Sequence, residues 1–320
     1  MYSRDMYHRE LMILSKYLSY LKTAYGFHVT LTDSIDIDTN LKLSDFLHAN
    51  SFSRDLLQPY LVHSNRYCML IKTNEELWDK CKCFKERICN KFENTNSMLY
   101  GMCHAGIEEF ILPVKYKGKL IALIHAGSFC SNEYKSIKRI KNICKKYKFD
   151  EKLLLESYFA NVQREVPDKN TIEILLNAAA VCISSIYSHI EPMLNDLNNN
   201  KKSSFRENYI LLHILEYIKQ NYKEDITASD ISRFCHCSKS YISHIFCQNM
   251  KQNINVYINN LRIDEAKRLL ISGNKLIKDI SSEVGFNDPN YFTKVFTDMT
   301  GMSPREYRKK YSIQSQEAMH

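Results

Sequence analysis

Six side chains between positions 68 and 104 have the chemistry to hold a metal ion or react with an oxidant: Cys68, Cys81, Cys83, Cys89, Cys103 and His104. Structural zinc takes four thiolate or imidazole ligands, usually from paired cysteines two to four residues apart. Cys81-Lys82-Cys83 has a single intervening residue and no second pair follows it. The spacing favours buried or pocket-lining thiols over a metal centre, so no metal and no cofactor is expected. His104 and Glu109 flank the start of a strand pair at 110–127, and His125 lies further along it. A few fixed polar groups on an apolar wall suit a small hydroxylated ligand. No phosphate-cradling glycine loop, metalloprotease helix motif or nucleophile elbow occurs, so an enzyme is not expected. Cys103 and His104, read as strand neighbours, would face opposite sides and make no nucleophile–base pair.

Around these residues the first half reads as α+β. Leu11, Leu14, Leu18 and Leu21 recur at helical spacing, and 27–32 alternates as a strand. Two β-rich runs flank Lys117-Gly118, where glycine supplies the positive φ of a tight hairpin turn. Helices are expected at 131–147 and 151–160. A longer one at 169–193 carries the stripe Ile172, Leu175, Ala179, Cys182, Ile186, His189, Met193. That stripe packs either on its own domain or, alternatively, on a second copy as a homodimer seam. Pro192 is expected to end or kink this helix. The polar, asparagine-rich stretch 195–206 reads as a linker.

From 207 to 311 the chain is a string of short helices. Thr227 to Asp230 forms an N-cap pattern, Cys235-His236-Cys237 a turn, and Ser238 caps a second helix. About fifty residues later Ile277, Ile280 and Val284 line a helix, Gly285 turns the chain, and Asp288-Pro289 opens another. Each unit is a helix-turn-helix, and a helix at 254–271, roughly 27 Å long, joins them. Two such units on one spacer suit reading of adjacent major grooves by one chain.

The residues YINNLRIDEAKRLL, IKDISSEVGFNDPNYFTKVF and TGMSPREYR resemble the AraC/XylS DNA-binding signature. The resemblance implies a sequence-specific transcription regulator, more often an activator. It places Ser240, Ser243 and His244 of the first recognition helix, and Asn290, Thr293 and Lys294 of the second, toward base edges. Lys239 is expected on phosphate. Serine and histidine give ambiguous readout, so Asn290 and Lys294 are expected to discriminate most. Residues 100–127, with Tyr67 to Lys72 and Cys81 upstream, resemble the PocR-type sensory domain, a PAS-like module. That likeness implies a small hydrocarbon derivative such as a diol; the residues themselves offer Cys68, Cys103, His104, Glu109 and His125 as candidate ligand contacts. Lys85 and Ser128 depart from the pattern, where an acid and a glutamine are usual.

Composition agrees with this division. The chain has 320 residues, a net charge of +8 and eleven cysteines. An odd thiol count with no export signal at the start points to a reducing cytoplasm and no disulfide scaffold. No apolar run of membrane-spanning length is evident, so no membrane is expected. The positive charge is spread along the chain and does not by itself indicate nucleic acid. The sequence therefore predicts a multidomain, ligand-responsive regulator. It comprises an α+β sensory domain at 1–165, a coupling helix and linker at 166–206, and an all-α DNA-binding domain at 207–312. Its expected partners are double-stranded promoter DNA, a small-molecule effector and, for an activator, RNA polymerase. The alternatives are a metal or redox sensor using the N-terminal cysteines, and an enzyme with a DNA-binding tail.

Overall fold

The computed structural model describes residues 2–33, 56–93, 95–198 and 205–317. The chain divides into two compact units, 1–212 and 213–320. The first opens with α1 (Tyr2–Tyr25), whose Leu11, Leu14, Leu18 and Leu21 are all fully buried. Strand β1 (His28–Asp33) follows, then α2 (Arg66–Lys72) and α3 (Glu75–Glu93). Strands β2 (Leu99–Met102), β3 (Glu108–Tyr116) and β4 (Lys119–Phe129) complete an antiparallel sheet in the order β1-β4-β3-β2. The hairpin lies where the alternation placed it: Lys117 and Gly118 both have positive φ, 50° and 79°, matching the twist of the flanking strands. Helices α4 (Glu133–Tyr147) and α5 (Glu151–Phe159) follow the sheet.

The two faces of the sheet are used differently. Val29, Leu31, Phe110, Leu112, Val114, Ala122, Ile124 and Ala126 join α1 and the long α6 (Lys169–Asn198) in the main core. On the opposite face Ile111 and Leu123 pack on Cys89 and Phe92 of α3. Further along that face lie Thr30, Thr32, Glu109 and His125. A register shift between Glu108 and Glu109 allows both acids to be buried: Glu108 accepts from the Tyr100 hydroxyl at 2.6 Å and the Ser131 amide at 2.7 Å.

Helix α6 bears on three expectations. It runs through Pro192 to Asn198, since losing one backbone donor inside a 30-residue helix removes only one ladder bond. Of the two packings read from its stripe, the first is seen: Ile172, Leu176, Ala179, Ile183, Ile186 and Ile190 are buried in the core of the first unit. The side chain of Met193 lies outside the described residues. The segment Lys169–Glu191 is also long and apolar enough to match a membrane span by composition; its inner side packs on the sheet and α1, while Ile174 and Val181 on its outer side are exposed. Of the stretch read as a linker, 195–198 and 205–206 are helical and 199–204 lie outside the described residues.

The unit boundary falls within α7 (Phe205–Asn221). The second unit is all helical: α8 (Ala228–Phe234), α9 (Lys239–Met250), α10 (Ile254–Ser272), α11 (Ile277–Glu283), α12 (Pro289–Thr300) and α13 (Pro304–Glu317). Local sequence sets each start. Thr227 and Asp230 form a reciprocal capping box, Ser238 and Asn253 each accept from a backbone amide three residues on, and Asp288 precedes Pro289. Between α11 and α12 Gly285 has φ 98°, and a Cβ there would meet the Lys223 carbonyl oxygen at 2.6 Å, so only glycine fits.

Candidate DNA-reading face and sensory pocket

Both helix-turn-helix units bury one face of the second helix and leave the other open. In α9, Ile242, Ile245 and Phe246 are buried, while Lys239, Ser240, Ser243 and His244 are exposed. The same open face continues through Cys247 and Gln248, which spacing alone did not single out. In α12, Phe292 and Phe296 are buried, and Asn290, Thr293 and Lys294 are exposed. Thr293 donates back to the Pro289 carbonyl at 2.9 Å, leaving its methyl group as its outward feature. Tyr291, half-exposed beside Phe286, joins that face. Arg262 of α10 belongs to the scaffold: its guanidinium donates to the carbonyls of Tyr222 and Glu224 at 2.6 and 2.8 Å and lies over the Phe286 ring.

In the sensory unit the structure gathers Glu109, His125 and Cys68 around one cavity. His63, Asn65, Thr30 and Ser128 also line it. Its volume is about 20 Å³, room for one water-sized group. Glu109 and His125 are both 5% exposed. The His125 Nδ1 and His63 Nε2 atoms stand 3.3 and 3.6 Å from the two Glu109 carboxylate oxygens, and neither nitrogen makes a hydrogen bond. Thr32 Oγ1 engages the other His125 nitrogen at 3.1 Å and so orients the ring. Burial pushes the Glu109 carboxyl up, but the facing His125 and His63 more than offset it and hold it below its ordinary value. Burial drives the His63 imidazole down to about 3, partly offset by Glu109.

The turn bearing His63 is stitched in place. Lys72, itself buried, donates to the His63 carbonyl at 3.0 Å. Asn65 caps α2 through the Cys68 amide and donates to the Ser128 hydroxyl at 2.9 Å. Ser128, the departure from the sensory pattern, is thus a structural partner here.

His104 and Cys103 go elsewhere. They occupy a turn at 103–106 and not a strand, which corrects the opposite-faces reading. The Tyr67 and Tyr158 hydroxyls hold that turn by donating to the Ala105 and Gly106 carbonyls at 2.6 and 2.9 Å. His104 Nε2 lies 3.1 Å from Cys81 Sγ, and His104 does not line the Glu109 cavity. Burial pushes the Cys68, Cys81 and Cys103 thiols up to about 12, so they stay protonated at neutral pH and are poor nucleophiles. Cys83 is exposed, so the Cys81-Lys82-Cys83 pair diverges.

The comparisons with known proteins divide at the same place. The sensory domain found in PocR matches residues 43–187, and the helix-turn-helix domain matches 231–310. The regulatory protein PocR of Salmonella typhimurium is 22% identical over 264 residues, 80% of this chain and 86% of that protein. An HTH-type transcriptional regulator of Pseudoalteromonas carrageenovora is 30% identical over 121 residues, 37% of this chain and 72% of that protein. The HTH-type transcriptional activator RhaR of Escherichia coli O1:K1 is 41% identical over 81 residues, 24% of this chain and 29% of its own length. With a helix-turn-helix pair at one end and a PocR-type sensory domain at the other, the chain belongs to the AraC-type transcription regulators.

Proposed function

We propose that the protein is a ligand-responsive transcription activator whose effector is a short diol or a related small hydroxylated molecule. The observation behind the effector class is the buried Glu109–His125 pair, with His63, on a sheet face where Thr30 and Thr32 lie beside Ile111 and Leu123. A hydroxyl both donates and accepts, so one diol can donate to the carboxylate and to an unprotonated ring nitrogen. Cys68 belongs to the same wall; Cys103 and His104 lie outside it. The cavity admits one water-sized group, so a three-carbon diol enters by moving the turn that carries His63. Such movement supplies the difference in affinity between two conformations without which a ligand shifts nothing.

The promoter is read by Ser240, Ser243 and His244 on α9 and by Asn290, Thr293 and Lys294 on α12, with Lys239 on phosphate. The activator sense follows the RhaR likeness, and an activator's further partner is RNA polymerase. The protein works in the cytoplasm, where it meets promoter DNA, and does not turn its effector over. Thermal unfolding of the full-length protein with two- to four-carbon diols, polyols and hydroxy acids tests the effector class. At a hundredfold excess over Kd a ligand stabilises its unit by about 2.7 kcal/mol. Glu109→Gln should abolish that gain and His104→Ala should keep it. No shift with any member of the panel contradicts the effector class.

A further inference from the structure

The polar cluster behind that cavity has more structure than a hydroxyl site needs. Among the described residues, His63, Glu109 and His125 form the one set of three metal-ligating side chains that converges, with ligating atoms within 4.8 Å of one another. His125 Nδ1 lies 3.3 Å from one Glu109 oxygen and His63 Nε2 lies 3.6 Å from the other, each near the about 3.4 Å ligand–ligand separation of a tetrahedral site with bonds near 2.1 Å. Both nitrogens that face the carboxylate are buried and fall short of hydrogen-bond geometry, with a Glu109 oxygen opposite each. A water in the cavity could satisfy the ring nitrogens, but the carboxylate would then need one of the two imidazoles to carry a proton. A cation satisfies all three groups at once.

The surroundings resemble the outer support of a metal site. Thr32 anchors the far nitrogen of His125, the contact that normally fixes the tautomer and aim of a liganding imidazole. Lys72 and Asn65 fix the backbone on either side of His63. The cavity of about 20 Å³ is the right size for an ion and too small for an undistorted diol.

We infer that His63, Glu109 and His125 bind one divalent first-row transition-metal ion, through His63 Nε2, the Glu109 carboxylate and His125 Nδ1. Two imidazoles and a carboxylate suit zinc or ferrous iron, and three protein ligands leave a coordination position open. That position faces the cavity wall formed by Asn65, Cys68 and Ser128, where a water or an effector oxygen would complete the shell. The inference deepens the reading of the same site: with the ion bound, an effector hydroxyl would meet the metal in place of the ring nitrogens, and zinc retention without effector tests the ion by itself.

The test uses full-length protein, stripped with a chelator, then loaded with zinc or cobalt in the absence of effector and DNA. We expect one equivalent of zinc per chain retained through gel filtration. Cobalt should give visible ligand-field bands with no thiolate-to-cobalt charge-transfer band in the near ultraviolet. His63→Ala should abolish retention, and because that side chain is one-third exposed the variant should fold. Thr32→Val should weaken affinity roughly 10–100-fold. Cys81→Ser and Cys83→Ser should leave binding unchanged, with circular dichroism checking the fold of each variant. A wild-type protein that retains no zinc, or retention untouched by His63→Ala, or a thiolate charge-transfer band, overturns the inference.

Discussion

A half-buried histidine ringed by cations weakens a fold on the acid side. Burial, then Lys80, Arg139 and Arg87, hold the His104 imidazole at about 4, below its ordinary 6.5. Between those values the unfolded chain binds a proton that the folded chain refuses, so this part of the stability is complete above pH 6.5 and lost as pH falls through about 4. Unfolding of His104→Gln by denaturant at pH 7 and pH 5 should therefore show a smaller loss on acidification than wild type; an equal loss would mean that His104 titrates normally. The sequence made His104 visible as a polar group near the hairpin but misjudged its company. The turn at 103–106, pinned by two tyrosine hydroxyls from distant helices, rotates it toward Cys81 and away from Glu109. His63 was not legible at all. It lies in a turn with no periodicity, and only the Lys72 and Asn65–Ser128 bonds bring it to the sheet. Glu109 and His125 could be named because the strand alternation was clear, yet their shared face rests on the register shift between Val114 and Lys115, which no local pattern signals.

Elements whose pattern matches their burial were readable in advance: α1, the β3–β4 hairpin, and both helix-turn-helix units with their caps. Helix α6 was readable in extent but not in partner, because a wide apolar stripe suits a second copy and the home sheet equally. The packing assigns its two sides. Ile186 is 1% exposed inside the sensory core, whereas Val181, on the outer side of the same helix, is 71% exposed. Ile186→Ala should then cost about 2–5 kcal/mol in unfolding of the sensory unit, with no change in oligomeric state by light scattering. Val181→Asp should stay within about 0.5 kcal/mol of wild type. Dissociation of an oligomer by Ile186→Ala, with stability kept, would return the stripe to a dimer seam. The same helix was expected to end or kink at Pro192; it does not end there, because one missing donor is a local defect in a long ladder.

At the scale of the whole molecule, two helix-turn-helix units hang on the 19-residue α10, about 28 Å long at 1.5 Å per residue. That length is comparable to the about 34 Å between successive major-groove turns, so one chain should occupy about 20 base pairs. The chain's charge of +8 is not concentrated in that unit, where basic and acidic residues nearly balance, so non-specific attraction is weak and the exposed faces of α9 and α12 must supply discrimination. The central claim is therefore sequence-specific reading. Its most direct test is the affinity of the full-length protein for a duplex from its promoter and for a random duplex of equal length, across a range of salt. The promoter should be preferred by roughly 10³-fold or more. Asn290→Ala should remove about 1–3 kcal/mol of that preference, while Lys239→Ala weakens both duplexes alike and lowers the salt slope by about one. Equal affinity of the wild-type protein for the two duplexes, or equal losses on both with Asn290→Ala, would contradict the account.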